Sequence, residues 1–180
     1  MAKLKLATVW LEGCSGCHMS LLDLDEWLFD LSEQVDWAFT PFADIKEFPE
    51  GVDIALVEGS VANEENLAMI RKVRDRTKTL ISFGDCAVTG NINALRNPAG
   101  SPAPSFKRSY LEAAGWNAHV PESKELPKLL DRVLPVHAVV PVDIYIPGCP
   151  PSPERIRSVL IPLLRGETPE MVGRDMLKFG

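Results

Sequence analysis

Four cysteines are the residues of this 180-residue chain whose type and spacing could do chemistry: Cys14, Cys17, Cys86 and Cys149. Two lie in LEGCSGC (11–17), one in SFGDC (82–86) and one in YIPGCPPSPE (145–154). Each segment runs from an apolar, strand-like stretch through glycine to cysteine. Thiolates brought together in fours hold a [4Fe–4S] cluster, a [2Fe–2S] cluster or a structural zinc. Structural zinc usually takes two close-spaced ligand pairs. Here Cys86 and Cys149 stand far apart, so the second pair is missing. A CxxC of the thioredoxin type would leave those two cysteines unexplained, although they share the same strand-end setting. Inert buried cysteines sit inside strands more often than in glycine turns. The pattern favours an iron–sulfur cluster, with zinc and a dithiol redox site as the alternatives.

Elements must carry those thiols to one place. KLKLATVWL (3–11), VDWAFTPF (35–42), VDIALVEG (52–59), TLISFG (79–84) and VDIYIPG (142–148) read as strands. The run at 52–59 is apolar enough for a strand covered on both faces. Residues 18–33 and 62–77 have helical spacing, and the second carries its acids early and its bases late, as the helix dipole favours. A helix with an internal proline is predicted over 122–135, and a last helix over 153–166, with proline in its first turn and Gly166 at its end. NPAGSPAPS (97–105) and PSFKRS (104–109) read as loops. Alternating strands and helices predict one α/β domain over 1–180, a flavodoxin-like open parallel sheet with helices on both faces. Ligands of such sheets bind outside the carboxyl ends of the strands. In a parallel sheet all four thiols therefore reach one edge. Segment 87–141 is a long, partly irregular insertion, longer than an ordinary connection. That length, and the apolar residues of NINALRNP near the thiols, predict contact with a partner.

The charge balance excludes other classes. A net charge of −6 argues against nucleic acid or an anionic membrane surface as partner. No apolar run is long enough to span a bilayer. MAKLKLATVWLEG has neither a small-residue cleavage site nor a twin arginine, which predicts a cytoplasmic protein. In that reducing compartment four cysteines bind metal or do redox chemistry rather than form structural disulfides.

CxxC after the first strand, GDCxxxG (84–90) and PGCPP (147–151), in this order, resemble the small subunit of [NiFe] hydrogenases. The same core occurs in the cluster-bearing subunit of respiratory complex I. That subunit has adjacent cysteines in the first motif, so the spaced Cys14 and Cys17 favour hydrogenase. The resemblance covers the chain from Lys3 to about Arg165. It implies that Cys14, Cys17, Cys86 and Cys149 hold a proximal [4Fe–4S] cluster beside the nickel–iron centre of a large subunit. No spare cysteine remains for further clusters, and the chain looks like the short, single-cluster small subunit of soluble bidirectional NAD-reducing hydrogenases. In that family the partner complement is a [NiFe] large subunit and a diaphorase with flavin, iron–sulfur clusters and the NAD site. The family often has glutamate directly before its first cysteine; here Gly13 takes that place and Glu12 is one residue further back. A cluster subunit of a complex I-like dehydrogenase, a hydrogenase with another acceptor, an FMN-carrying module and a zinc-stabilised interaction protein are the other readings. EGCSGC replaces the hydroxyl-rich loop that FMN phosphate needs after the first strand. No GxGxxG follows a strand, so no Rossmann loop for NAD is expected.

The remaining polar residues receive plainer expectations. His18, at a helix start, is expected to be solvated rather than to act behind the ligands. His119 and His137 are not spaced as metal ligands. Glu58 and Ser60, in VEGSV, either line the thiol site or shape a turn. The tryptophans and LLDLDEWLFDL read as core, with Trp10 near the site. Backbone N–H groups around Gly16 and Gly84 are the expected donors to sulfur.

Overall fold

Five of the apolar runs become the strands of one sheet. The structure, a computed structural model, describes residues 3–113, 115 and 118–180. The strands are β1 (Leu4–Trp10), β2 (Val35–Phe39), β3 (Val52–Glu58), β4 (Val61–Asn63), β5 (Thr77–Phe83), β6 (Leu129–Leu134) and β7 (Ile144–Ile146). The main sheet has the order β2-β1-β3-β5-β7, with every pair parallel. This is the doubly wound, flavodoxin-like arrangement that the alternation of elements predicts.

Side-chain alternation explains why both faces are covered. Along β3, Ile54 and Leu56 join one core, and Ala55 and Val57 join the other. The first core is closed by α1 (Gly16–Leu22), α2 (Trp27–Gln34) and α6 (Pro153–Leu164), through Leu21, Leu31 and Ile156. The second is closed by α3 (Glu64–Arg76) through Ile70 and Val73. Asn63 starts α3: its side chain accepts the Asn66 backbone N–H at 2.8 Å. Ser152 caps α6 in the same way, accepting from the Arg155 backbone N–H at 3.3 Å.

Register fixes where the sheet ends. Trp10 lies opposite Glu58, Glu58 opposite Phe83, and Phe83 opposite Ile146. Four strands therefore finish level, and the loops that follow leave from one edge.

Elsewhere tertiary pairing overrides the local pattern. Residues 129–134 form strand β6, not part of a helix, because LLDRVL pairs antiparallel with β4 in a separate two-stranded ribbon. Arg96 and Asn97 hold its backbone: the Arg96 guanidinium donates to the Leu130 carbonyl at 2.8 Å, and the Asn97 side-chain carbonyl accepts the Val133 N–H at 2.7 Å. The stretch expected as loop, 97–109, carries helical turns: the end of a 3-10 helix (Asn91–Ala99), α5 (Ala103–Phe106) and the start of a π-helical turn (Lys107–Glu112); the short α4 (Asp85–Thr89) precedes them. The helix expected over 18–33 is two helices, separated at 23–26, where Asp25 takes a positive φ. The last sheet strand is confined to Ile144–Ile146, and a short α7 (Arg174–Leu177) follows α6. Trp27 is core and Trp37 packs against it, but Trp10 is half exposed and Phe29 is exposed. Trp116 lies outside the described residues. Among the described residues no helix is long and apolar enough to cross a membrane.

Candidate metal centre

All four predicted thiols gather at the level edge of the sheet. They line one small cavity with Gly16, Glu58, Asp85, Gly148 and Pro150. All four are free cysteines; Cys17 and Cys86 are buried, whereas Cys14 and Cys149 are exposed. The cavity therefore has a protein-lined floor and an open side.

Cross-bonds between the loops set its shape. The loops after β5 and β7 are locked by a reciprocal pair: the Asp85 N–H donates to the Gly148 carbonyl at 2.9 Å, and the Gly148 N–H donates to Asp85 Oδ1 at 2.6 Å. Gly84 donates its N–H to the Ile146 carbonyl at 2.8 Å. Ser20 of α1 donates its hydroxyl to the Pro151 carbonyl at 2.6 Å, which ties the CxxC helix to the third loop. Arg155, in the first turn of α6, reaches back to the Pro147 carbonyl and also holds the carbonyls of Asp175 and Lys178.

Glycine is required at two of these turns. At Gly84 (φ +82) a Cβ would run into the Cys17 sulfur; at Gly148 (φ +135) it would lie 2.5 Å from the Pro151 backbone. The space beside the thiols is thus kept clear by missing side chains.

Glu58 and His18 give an outcome the sequence does not predict for His18. His18 is not solvated; it is 1% exposed, and so is Glu58. Glu58, the last residue of β3, accepts the His18 backbone N–H at 2.9 Å and the Cys17 N–H at 3.4 Å, and it sits against His18 Nδ1. The imidazole is held edge-on between Phe42 and Phe83, and its Nε2 has no hydrogen-bond partner. Glu58 thus lines the site, while Ser60 shapes the turn beside it, exchanging backbone bonds with Glu12 at 2.8 and 3.1 Å. These contacts join residues some forty positions apart, so no local sequence signal marks them. His137 stacks edge-on with Tyr145, and neither lines the thiol cavity.

Two kinds of donor face the sulfurs. The Gly16 N–H donates to Cys14 Sγ at 3.4 Å, as expected. The Gly84 N–H is used in the β7 bond instead, and the second donor is the side chain of Asn91. Burial, then the charges of Glu58 and the other thiols, pushes the Cys17 thiol well above its ordinary range. Cys86 is also raised, mainly by burial, with the Asn91 amide opposing. Bare Cys17 and Cys86 are therefore disfavoured as thiolates here, and a positively charged metal group is what would stabilise them in that form.

The donor set fits an iron–sulfur group better than a single ion. Among the described residues no three His, Cys, Asp or Glu side chains converge closely enough to hold one metal ion. The four thiols nevertheless share one cavity, and four cysteines are the donor set that an iron–sulfur group would take.

The family described as NADH ubiquinone oxidoreductase, 20 kDa subunit, matches residues 14–163. The chain is 40% identical over 167 residues to the NAD-reducing hydrogenase HoxS subunit delta of Cupriavidus necator, across 91% of this chain and 80% of that protein. It is 38% identical over 172 residues to a subunit of the F420-non-reducing hydrogenase vhu of Methanococcus voltae, across 94% of this chain and 59% of that protein. The chain thus spans less than two thirds of the length of the F420-non-reducing hydrogenase subunits it matches, and four fifths of the HoxS subunit. Among solved structures, a chain of an NAD+-reducing [NiFe]-hydrogenase in the H2-reduced state superposes with a TM-score of 0.92 at 38% identity, covering 99% of this chain and 100% of that one. The Ni-Fe-Se hydrogenase of Desulfomicrobium baculatum, at 17% identity and a TM-score of 0.57, shares the fold.

Proposed function

Because this chain belongs to the NADH ubiquinone oxidoreductase 20 kDa subunit family, we propose that it is the electron-relay small subunit of an NAD-reducing [NiFe] hydrogenase. The observation that carries this reading is the meeting of four thiols, from three separate strand ends, around one cavity. Cys14, Cys17, Cys86 and Cys149 would hold one [4Fe–4S] cluster, which when bound supplies one-electron transfer. The rest of the site belongs to the protein. The Asp85–Gly148 pair and the Ser20–Pro151 bond fix the three loops against one another, and buried Cys17 and Cys86 keep water from the floor.

Partners follow from the chemistry. Hydrogen gives up two electrons and NAD takes a hydride, so a one-electron relay needs a two-electron centre on each side. A [NiFe] large subunit serves at one end and a flavin-bearing diaphorase with the NAD site at the other. The open side of the cavity has an apolar surround. Trp10, half exposed, donates Nε1–H to the Gly13 carbonyl, and Ile92 and Leu95 are 65% and 75% exposed on the 3-10 helix that Asn93 pins to Glu12. A large subunit lying there would cover Cys14 and Cys149. The reaction is placed in the cytoplasm, where NAD is available. The similarity to F420-non-reducing hydrogenases favours, as second reading, the same relay with a different acceptor.

Iron and acid-labile sulfide analysis of the two-chain complex with the large subunit tests the cluster, with about four labile sulfides per copy of this chain expected. Zinc in place of iron and sulfide would overturn it. The same complex should reduce an artificial dye with hydrogen but not NAD, and adding the diaphorase should restore NAD reduction. NAD reduction by the two chains without a bound flavoprotein would refute the relay.

A further inference from the structure

Asn91 is placed by two features of the chain just after α4. Gly90 ends α4 with φ +85, its N–H donating to the Cys86 carbonyl at 2.9 Å, and Asn91 continues the left-handed turn with φ +38. Asparagine tolerates that region better than most residues with a Cβ. Two residues on, Asn93 fixes the segment between two other loops: its Nδ2 donates to the Glu12 carbonyl at 2.6 Å and to Ser60 Oγ at 2.9 Å. The Asn91 side chain is thus held over the cavity rather than left to swing. Its Nδ2 lies 3.5 Å from Cys149 Sγ and 3.9 Å from Cys86 Sγ. Nδ2 carries two hydrogens and no acceptor, so its chemistry toward two thiolates is donation. Among the described residues it is the one side chain that bonds sulfurs of two different cysteines.

We propose that Asn91 is a positioning residue that sets the reduction potential of the group held by the four thiols, by donating its amide to the Cys86 and Cys149 sulfurs. The inference rests on the cluster reading above. Hydrogen bonds to ligand sulfur withdraw electron density and favour the more reduced, more negatively charged form of the group. Asn91 makes this correction at two corners at once, one on a buried thiol and one on an exposed thiol. Its bond to Cys149 lies on the open side, where solvent or a partner would otherwise set the local polarity.

The test is a potentiometric titration of the complex with the large subunit, followed by the electron paramagnetic resonance signal of the reduced cluster, with iron content measured in parallel. Asn91→Gly removes the amide and keeps the left-handed backbone. Asn91→Asp keeps size and backbone tolerance but replaces the donor with a carboxylate. Both midpoints should move to more negative potential, Asn91→Asp further than Asn91→Gly, with iron content unchanged. An unchanged or more positive midpoint in both variants overturns the proposal. Loss of iron from both variants also overturns it, since Asn91 would then be a structural brace. If the parent complex itself carries no iron–sulfur signal, the cluster reading fails first, and this inference falls with it.

Discussion

Replacing Glu58 by alanine isolates the least expected part of the site. The carboxylate is 1% exposed and takes three donors: the Cys17 N–H, the His18 N–H and the His18 ring at Nδ1. Removing it leaves all three without that acceptor beneath buried side chains. An unsatisfied buried donor costs about 1–3 kcal/mol. The Cys17 bond is long, at 3.4 Å, and belongs at the low end. Water entering from the neighbouring cavity offsets part of the total. Together these give a loss of about 3–5 kcal/mol, a large share of the roughly 5–15 kcal/mol that stabilises a domain. For a chain of this size each 1 kcal/mol moves Tm by about 2–4 °C, so the fall should be roughly 6–20 °C. The assay is thermal unfolding of the reduced, metal-free chain, followed by far-ultraviolet circular dichroism, which keeps cluster chemistry out of the comparison. Glu12→Ala is the control, because the Glu12 side chain is exposed and only its backbone is bonded; it should stay within about 0.5 kcal/mol of the parent. A Glu58→Ala protein that melts within about 2 °C of the parent would refute the claim that Glu58 organises the CxxC turn.

Gly84→Ala should cost about 1–3 kcal/mol of backbone strain at φ +82 and drive a Cβ into the Cys17 sulfur, so iron content of the complex should fall sharply; a fully loaded variant would contradict the packing described. Cys149→Ser should lose or degrade the cluster while leaving the sheet formed, because the thiol sits on a loop at its edge; full iron content with full hydrogen-dependent NAD reduction would break the four-ligand assignment. In the reduced, metal-free chain, iodoacetamide should label Cys14 and Cys149 first and Cys17 last, since Cys17 is buried and its thiol is pushed up by burial and then by Glu58. Cys17 should catch up only in strongly alkaline solution, and peptide mass spectrometry showing equal rates near neutral pH would count against its burial.

Much of the sheet was legible because its strands are short and rich in apolar residues, and its central strand, VDIALVE, is the nearly continuous apolar run that a parallel sheet covered on both faces needs. The ribbon of β4 and β6 was not. Val61–Asn63 is too short to show a period, and the leucines of 129–134 are spaced as in a helix until Arg96 and Asn97 bind the backbone from a distant turn. Local pattern cannot report a partner that lies elsewhere in the chain. The same limit hid His18. A histidine after a cysteine at a helix start is ordinary surface until β3 delivers Glu58 to it across some forty residues. Asn91 was hidden for the same reason, since one of its two sulfurs belongs to the loop after β7.

The thiols escaped that limit, although their meeting is also long-range. Their signal is the glycine next to each cysteine, or one residue removed from it. Gly84 must be glycine because the Cys17 sulfur, from another loop, occupies the place where its Cβ would be. Gly148 must be glycine because the chain folds back on Pro151 to present Cys149. At Gly84 a distant contact has thereby left a local mark: the constraint is imposed by tertiary structure but recorded in one residue type at a fixed offset, whereas at Gly148 the constraint is the local turn itself. Glu58 and Asn91 meet their partners through flexible side chains, which demand no such vacancy in the backbone. Contacts made by excluding a side chain can be read from sequence, whereas contacts made by extending one have to be seen in the fold.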